Sequence, residues 1–204
     1  MKNQLIIFIV VIAGIACNSI KKDKNWKKTK ESQTYISDKG ECAFTTLSFE
    51  NDSAGRYYCQ ATKFIKSGKY KEALFSANIA KKMEPNNKML LKDIALLHTI
   101  MNQYDSAKYY LNMALKIDNE YSLAFNQLSA VYLKQDSIQK ALSASNKAIS
   151  LRPNYNPFIV NKILALEKLN QTDSCCLYLK KLKENDTHGS YDRFKKRFAK
   201  LDCK

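Results

Sequence analysis

The sequence predicts an all-α protein built as a stack of helical hairpins. Ala73, Ala107, Ala141 and Cys175 stand 34 residues apart, and Ala80, Ala114, Ala148 and Leu182 repeat that interval seven residues further on. Between them, apolar residues recur at offsets of three and four, the spacing that lines one face of a helix. An uninterrupted period of this length marks units that bury their apolar faces against one another.

The period divides residues 54–188 into four units, 54–87, 88–121, 122–155 and 156–188. Each splits into two helical halves. In the third unit the first half places Phe125, Leu128, Ser129 and Tyr132 on one face, and the second half does so with Ile138, Ala141, Ser145 and Ala148. Short breaks separate the halves at Ser67-Gly68-Lys69, Asn102-Gln103, Gln135-Asp136 and Asn170-Gln171. Glu84-Pro85-Asn86 and Arg152-Pro153-Asn154 close units one and three, because proline lacks an N–H and fixes φ. Alanine at the repeating phase lets bulky neighbours such as Phe64 and Tyr132 fit against the partner helix.

This pattern resembles the tetratricopeptide repeat. Unit one supplies Tyr57, Ala61, Phe64, Gly68, Tyr70, Ala73, Ala80 and Pro85 at the places the family uses. Unit two departs at His98, where an aromatic is usual, and at Asn119 in place of proline; unit four is degenerate. The resemblance implies a right-handed superhelical stack. It also implies that a helix in residues 189–204 closes the open end, and Tyr191, Phe194, Phe198 and Leu201 share one helical face there.

Residues 1–16 have the layout of a secretory signal: Lys2, an apolar run from Leu5 to Ile12, then Ala13-Gly14-Ile15-Ala16. The run is too short for a membrane-spanning helix, which needs about twenty residues. Cys17 follows directly, and the arrangement resembles the lipobox of bacterial lipoproteins, which implies acylation of Cys17 as the mature N-terminus. Ordinary secretory cleavage and an uncleaved anchor stay open as alternatives, the second because six lysines follow the run against Asp23 alone. The implied location is a bacterial cell envelope, facing periplasm or cell surface, with the outer membrane favoured.

Charge fits that setting. The chain carries 34 Lys+Arg against 19 Asp+Glu, a net charge of +15, concentrated in residues 18–30 and 180–204. The first cluster reads as a solvated tether or as an aid to anionic-lipid attraction beside an acyl chain, which alone anchors weakly. Residues 17–53 otherwise read as a basic linker and a short N-terminal segment, with a reach of about 30–35 Å. Cys42, Phe44, Leu47 and Phe49 suit a cap on the first helix, and Asn51-Asp52-Ser53 suits that helix's N-cap. A nucleic-acid partner is not expected: no recognisable module or zinc-finger spacing carries the basic residues.

With Cys17 acylated, five cysteines remain, so at least one stays outside any intramolecular pair. Position suggests Cys42 with Cys59, and Cys203 with Cys175 or Cys176; burial as small apolar residues is the equal alternative.

Catalysis finds no support. His98 falls on a packing position and His188 in a turn, and CxxC spacing, a glycine-rich phosphate loop and a nucleophile elbow are all missing. No catalytic residue, metal or cofactor is expected. The resemblance instead implies a groove along the first helices. Unit one offers Tyr58, Thr62, Ile65 and Lys66, and unit two Met89, Lys92, Leu96 and Thr99. Unit three offers Asn126, Ala130, Leu133 and Lys134, and unit four Val160, Leu164 and Glu167. Tyr58 and Thr62 stand where the family's carboxylate clamp needs lysine and asparagine. The floor suits an extended protein segment with apolar and acidic side chains. The function expected is therefore a membrane-anchored, non-enzymatic scaffold with a protein or peptide partner; the alternative is a structural envelope component holding anionic lipid or polymer through its basic ends.

Overall fold

The computed structural model describes residues 26–28, 34–37, 43–45, 48–153, 155–184, 191 and 203. Among the described residues eight helices follow one another: α1 (Asp52–Lys66), α2 (Tyr70–Met83), α3 (Lys88–Ile100), α4 (Tyr104–Ile117), α5 (Ser122–Lys134), α6 (Ile138–Leu151), α7 (Asn156–Lys168) and α8 (Thr172–Glu184). Each odd-numbered helix pairs with the next to form a hairpin, and each hairpin packs on its neighbours. The first helices also touch one another, α3 against α5 and α5 against α7, and so form one side of the stack.

The turns within the hairpins share one backbone conformation. Gly68, Asn102, Asp136 and Asn170 have φ of 71°, 59°, 55° and 56°. The amide after each donates to the carbonyl five residues back: Lys69 to Phe64 at 2.8 Å, Gln103 to His98 at 2.8 Å, Ser137 to Tyr132 at 2.9 Å and Gln171 to Leu166 at 3.0 Å. The first helix of each hairpin thus ends in a Schellman motif, whose left-handed residue is usually glycine or asparagine. A Cβ added at Gly68 meets nothing within 4 Å, so only backbone conformation opposes a side chain there. Gly68→Ala is expected to cost about 1 kcal/mol, read as a lower midpoint in urea unfolding.

Packing explains the small residues at the repeating phase. Ala73, Ala107, Ala141 and Cys175 are fully buried, as are Ala80, Ala114, Ala148 and Leu182. Paired helices approach closely enough for a side chain to bond the opposite backbone. In the third hairpin the buried Ser129 Oγ donates to the Ala141 carbonyl at 2.8 Å. In the fourth, at the same phase, Cys175 Sγ donates to the Ile163 carbonyl at 3.4 Å. The same helix approach is bridged from opposite sides. Among the described residues the apolar interior falls into three clusters along the stack, and the first joins Phe49, before α1, and Tyr57, Ala61 and Ala77 of hairpin one to Leu90, Ile94 and Leu97 of α3.

The segment before the stack contains an antiparallel three-stranded meander, β1 (Trp26–Lys28), β2 (Thr34–Ser37) and β3 (Ala43–Thr45), in the order β1-β2-β3. Lys27 pairs with Ile36 in the first ladder, and Tyr35 with Phe44 in the second. Sequence reading gives this stretch as a basic linker and a short segment capping the first helix, without strands, since strands of three and four residues leave no periodicity to detect. β3 lies against α1, and Phe49, just after it, is buried with its ring centroid 4.9 Å from that of Tyr58. Asn51 caps α1, its side chain accepting from the amides of Ser53 at 2.9 Å and Ala54 at 3.1 Å.

Cys176 is disulfide-bonded to Cys203, with Cα atoms 5.3 Å apart, and Cys175 is a free, buried thiol. Cys59 is also disulfide-bonded. The signal segment 1–16, Cys17, Cys42, His188 and the closing helix, apart from Tyr191 and Cys203, lie outside the described residues. Among the described residues, no helix is long and apolar enough to cross a membrane.

Candidate functional site

The first helices present one face to their neighbours in the stack and the next to open space. Tyr57, Cys59 and Ala61 of α1 are buried, whereas Tyr58, Thr62 and Ile65 are half-buried. The same half-buried state holds for Met89, Lys92, Leu96 and Thr99 on α3, for Asn126, Ala130 and Leu133 on α5, and for Val160, Leu164 and Glu167 on α7. Lys66 and Lys134, at the helix ends, are less enclosed, and both are exposed. A partly covered apolar surface of this kind, with Leu96, Leu133 and Leu164 in successive hairpins, can take the side chains of an extended segment.

Polar bonds tie successive first helices together. Tyr58 Oη donates to Asp93 Oδ2 at 2.9 Å, and Asn161 Nδ2 donates to Asn126 Oδ1 at 2.8 Å and to its carbonyl at 3.0 Å. Both links span 35 residues, so each joins one unit to the adjoining position of the next. Asp93 also pairs with Lys92 at 2.6 Å, and both side chains are less than one-fifth exposed. Lys92 is therefore neutralised within the wall of the groove.

Where the first helices begin, the groove deepens into a cavity of about 920 Å³. Tyr58, Met89, Tyr121 and Leu123 supply its apolar surface, and Lys88, Lys92, Glu50, Glu84 and Asp118 its charges. Lys88 pairs with Asp118 and sits 5.2 Å from the centre of the Tyr121 ring. The Lys88 ammonium, then the Glu120 amide, hold the Asp118 carboxyl below the usual carboxylate range. Burial, followed by the nearby Asp93, pushes the Tyr58 phenol well up. Tyr121 is pushed up to about 12 by burial and by Asp93 and Asp118. An unfolded tyrosine ionises near pH 10. Because the folded value is higher, stability is complete below about pH 10 and falls as the pH rises toward 12. Tyr121→Phe is expected to make that alkaline loss shallower, measured by urea unfolding at pH 9 and pH 11.

His98 stacks on Tyr110 with ring centroids 5.3 Å apart, and its Nδ1 lies 2.7 Å from Gln103 Oε1. It serves packing in the place of the expected aromatic. Among the described residues, no cluster of His, Cys, Asp and Glu could hold a metal ion. A second, apolar hollow of about 340 Å³ lies on the first hairpin between Tyr57, Gln60, Phe64 and Phe75.

Sequence reading misses Asp93, Lys88, Asp118, Glu84 and Tyr121 as groove residues. The 35-residue pairing was available as a signal: Tyr58 with Asp93 and Asn126 with Asn161 are polar couples one position off the repeat. The acidic rim had none, since the loops between units carry it.

No family model matches the chain. Human Protein O-mannosyl-transferase TMTC1 is 28% identical over 100 residues, which are 49% of this chain and 11% of that protein. Among solved structures, TTC0263, a thermophilic TPR protein of Thermus thermophilus, aligns with a TM-score of 0.66 at 17% identity, covering 74% of this chain and 84% of that one. The first TPR of Spaghetti (RPAP3), bound to the HSP90 peptide SRMEEVD, aligns with a TM-score of 0.55 at 18% identity, covering 61% of this chain and 98% of that one. The fold is accordingly the right-handed tetratricopeptide stack, all-α in its repeats.

Proposed function

We propose that this chain is a non-enzymatic assembly scaffold that holds an extended segment of a partner protein along its first helices, anchored to a bacterial envelope membrane through acylated Cys17. The observation that carries the reading is the continuous half-buried face of α1, α3, α5 and α7, on which apolar side chains remain open between helices already tied together by hydrogen bonds. A structurally similar protein was solved with a peptide bound, which supports the same use of the fold here. The anchor rests on the order of Lys2, the apolar run, Ala16 and Cys17.

Cross-linking in the native envelope, followed by identification of the captured protein, tests the scaffold role. Leu96→Glu or Leu133→Glu is expected to weaken capture about tenfold or more, since a buried apolar anchor contributes about 2 kcal/mol and a charge there is left unpaired. Helical circular dichroism should be unchanged, because both leucines are on the open face. Binding that ignored both substitutions but fell steeply with salt would replace this reading with charge-driven attachment to anionic lipid or polymer. Mass spectrometry of the mature N-terminus checks the anchor: an intact Met1 peptide would remove it.

A further inference from the structure

The groove's deep end is acidic, although the chain carries a net charge of +15. Around the 920 Å³ cavity, Lys88 is matched by Asp118 and Lys92 by Asp93, which leaves the carboxylates of Glu50 and Glu84 in excess. Glu84 is fixed without being neutralised. The Asn51 amide donates to its Oε1 at 2.6 Å and Asn87 Nδ2 donates to its Oε2 at 2.9 Å, both neutral groups. Asn87 in turn donates to the Ser48 carbonyl at 2.6 Å, which ties the loop before α1 to the loop before α3. Beside this carboxylate, Met83 and Ile117 are 40% and 43% exposed on the cavity rim.

We infer that this end of the groove receives a lysine or arginine of the bound segment. Its alkyl stem would cover Met83 and Ile117 while its charged head reaches Glu84 and Glu50, the two-part contact that such side chains make at apolar surfaces. A carboxylate already oriented by two neutral donors needs no reorganisation to accept a guanidinium or ammonium. The lysines in this part of the groove do not favour an acidic segment, because each already has a carboxylate partner, Lys92 within the wall and Lys88 at its surface. The inference rests on the groove reading above and adds the partner's charge to it.

The test uses a library of random dodecapeptides displayed against the full chain, with selected peptides then titrated by fluorescence anisotropy. The expected result is enrichment of peptides with lysine or arginine beside apolar residues, lost on Leu96→Glu or Leu133→Glu. Those peptides should bind the Glu50→Gln/Glu84→Gln double variant about three- to tenfold more weakly, as for a partly exposed ion pair. Glutamine keeps the acceptor oxygen for Asn51, and Glu50→Gln alone, at an exposed bend, tests the charge if the double variant proves unfolded. Acidic or uncharged peptides that bind the double variant as well as the parent would overturn the inference and leave the groove reading standing. No selected peptide, or peptides indifferent to both leucine substitutions, would overturn both. Self-association sensitive to the double substitution, with no peptide selected, would assign the site to a second copy of this chain and overturn the inference.

Discussion

Leu97→Ala is expected to lower stability by about 2–5 kcal/mol, the range for truncating a fully buried leucine where the surroundings collapse only partly. Leu97 is completely buried and belongs to the cluster that joins α3 to the first hairpin. Its loss acts at an interface between units. In a stack where each unit touches only its neighbours, stability is a sum of unit and interface contributions, so weakening one interface also uncouples the units on its two sides. Urea unfolding followed by circular dichroism should therefore broaden or divide into two steps. Tyr109→Ala is the matched control: Tyr109 is 61% exposed, and its substitution should shift stability by no more than about 0.5 kcal/mol. A single sharp transition in Leu97→Ala at the parent midpoint would contradict the cluster assignment.

Cys203→Ser is expected to cost about 3 kcal/mol, felt at the C-terminal end alone. The Cys176–Cys203 bond closes a loop with a sequence separation of 27, and restraint of the unfolded chain by a loop of that size accounts for the magnitude. Hydrogen exchange should speed up in α8 and stay unchanged in α1 to α4. The adjacent thiol should not substitute for the lost partner. Cys175 is buried, and burial together with Glu167 raises its pKa, so little thiolate is present to be oxidised to a bond with the freed Cys176 thiol, even where an external oxidant is supplied. Peptide mapping of Cys203→Ser that recovered a Cys175–Cys176 bond would refute this.

The stack was readable because its physics is local and periodic. Alanine at Ala73, Ala107 and Ala141 reports a close helix approach, and Gly68, Asn102, Asp136 and Asn170 report four identical turns. The faces of Tyr58, Leu96 and Leu133 follow from helical phase once the core positions are known. The choice of Cys176 as the partner of Cys203 is consistent with that phase too, since Cys175 occupies the inward alanine position. Charge in the groove was not readable. Lys92 is followed directly by Asp93, but neighbours on a helix need not face each other, and only the fold shows that Asp93 pairs with Lys92 while also holding Tyr58. The acidic rim gathers Glu50, Glu84 and Asp118 from three separate loops, an assembly no local window contains. The meander was hidden for another reason: its strands are too short to alternate visibly.

The Schellman turns also bear on how the chain reaches its fold. Each closes a hairpin between helices that adjoin in sequence, and each hairpin then meets the one just made. Contact order is accordingly low, and low contact order goes with fast folding because little loop-closure entropy must be lost before native contacts form. Nothing in the described stack requires the last helix before the first hairpin can be completed. A chain emerging N-terminus first can therefore add its hairpins one at a time, each growing on a template already in place.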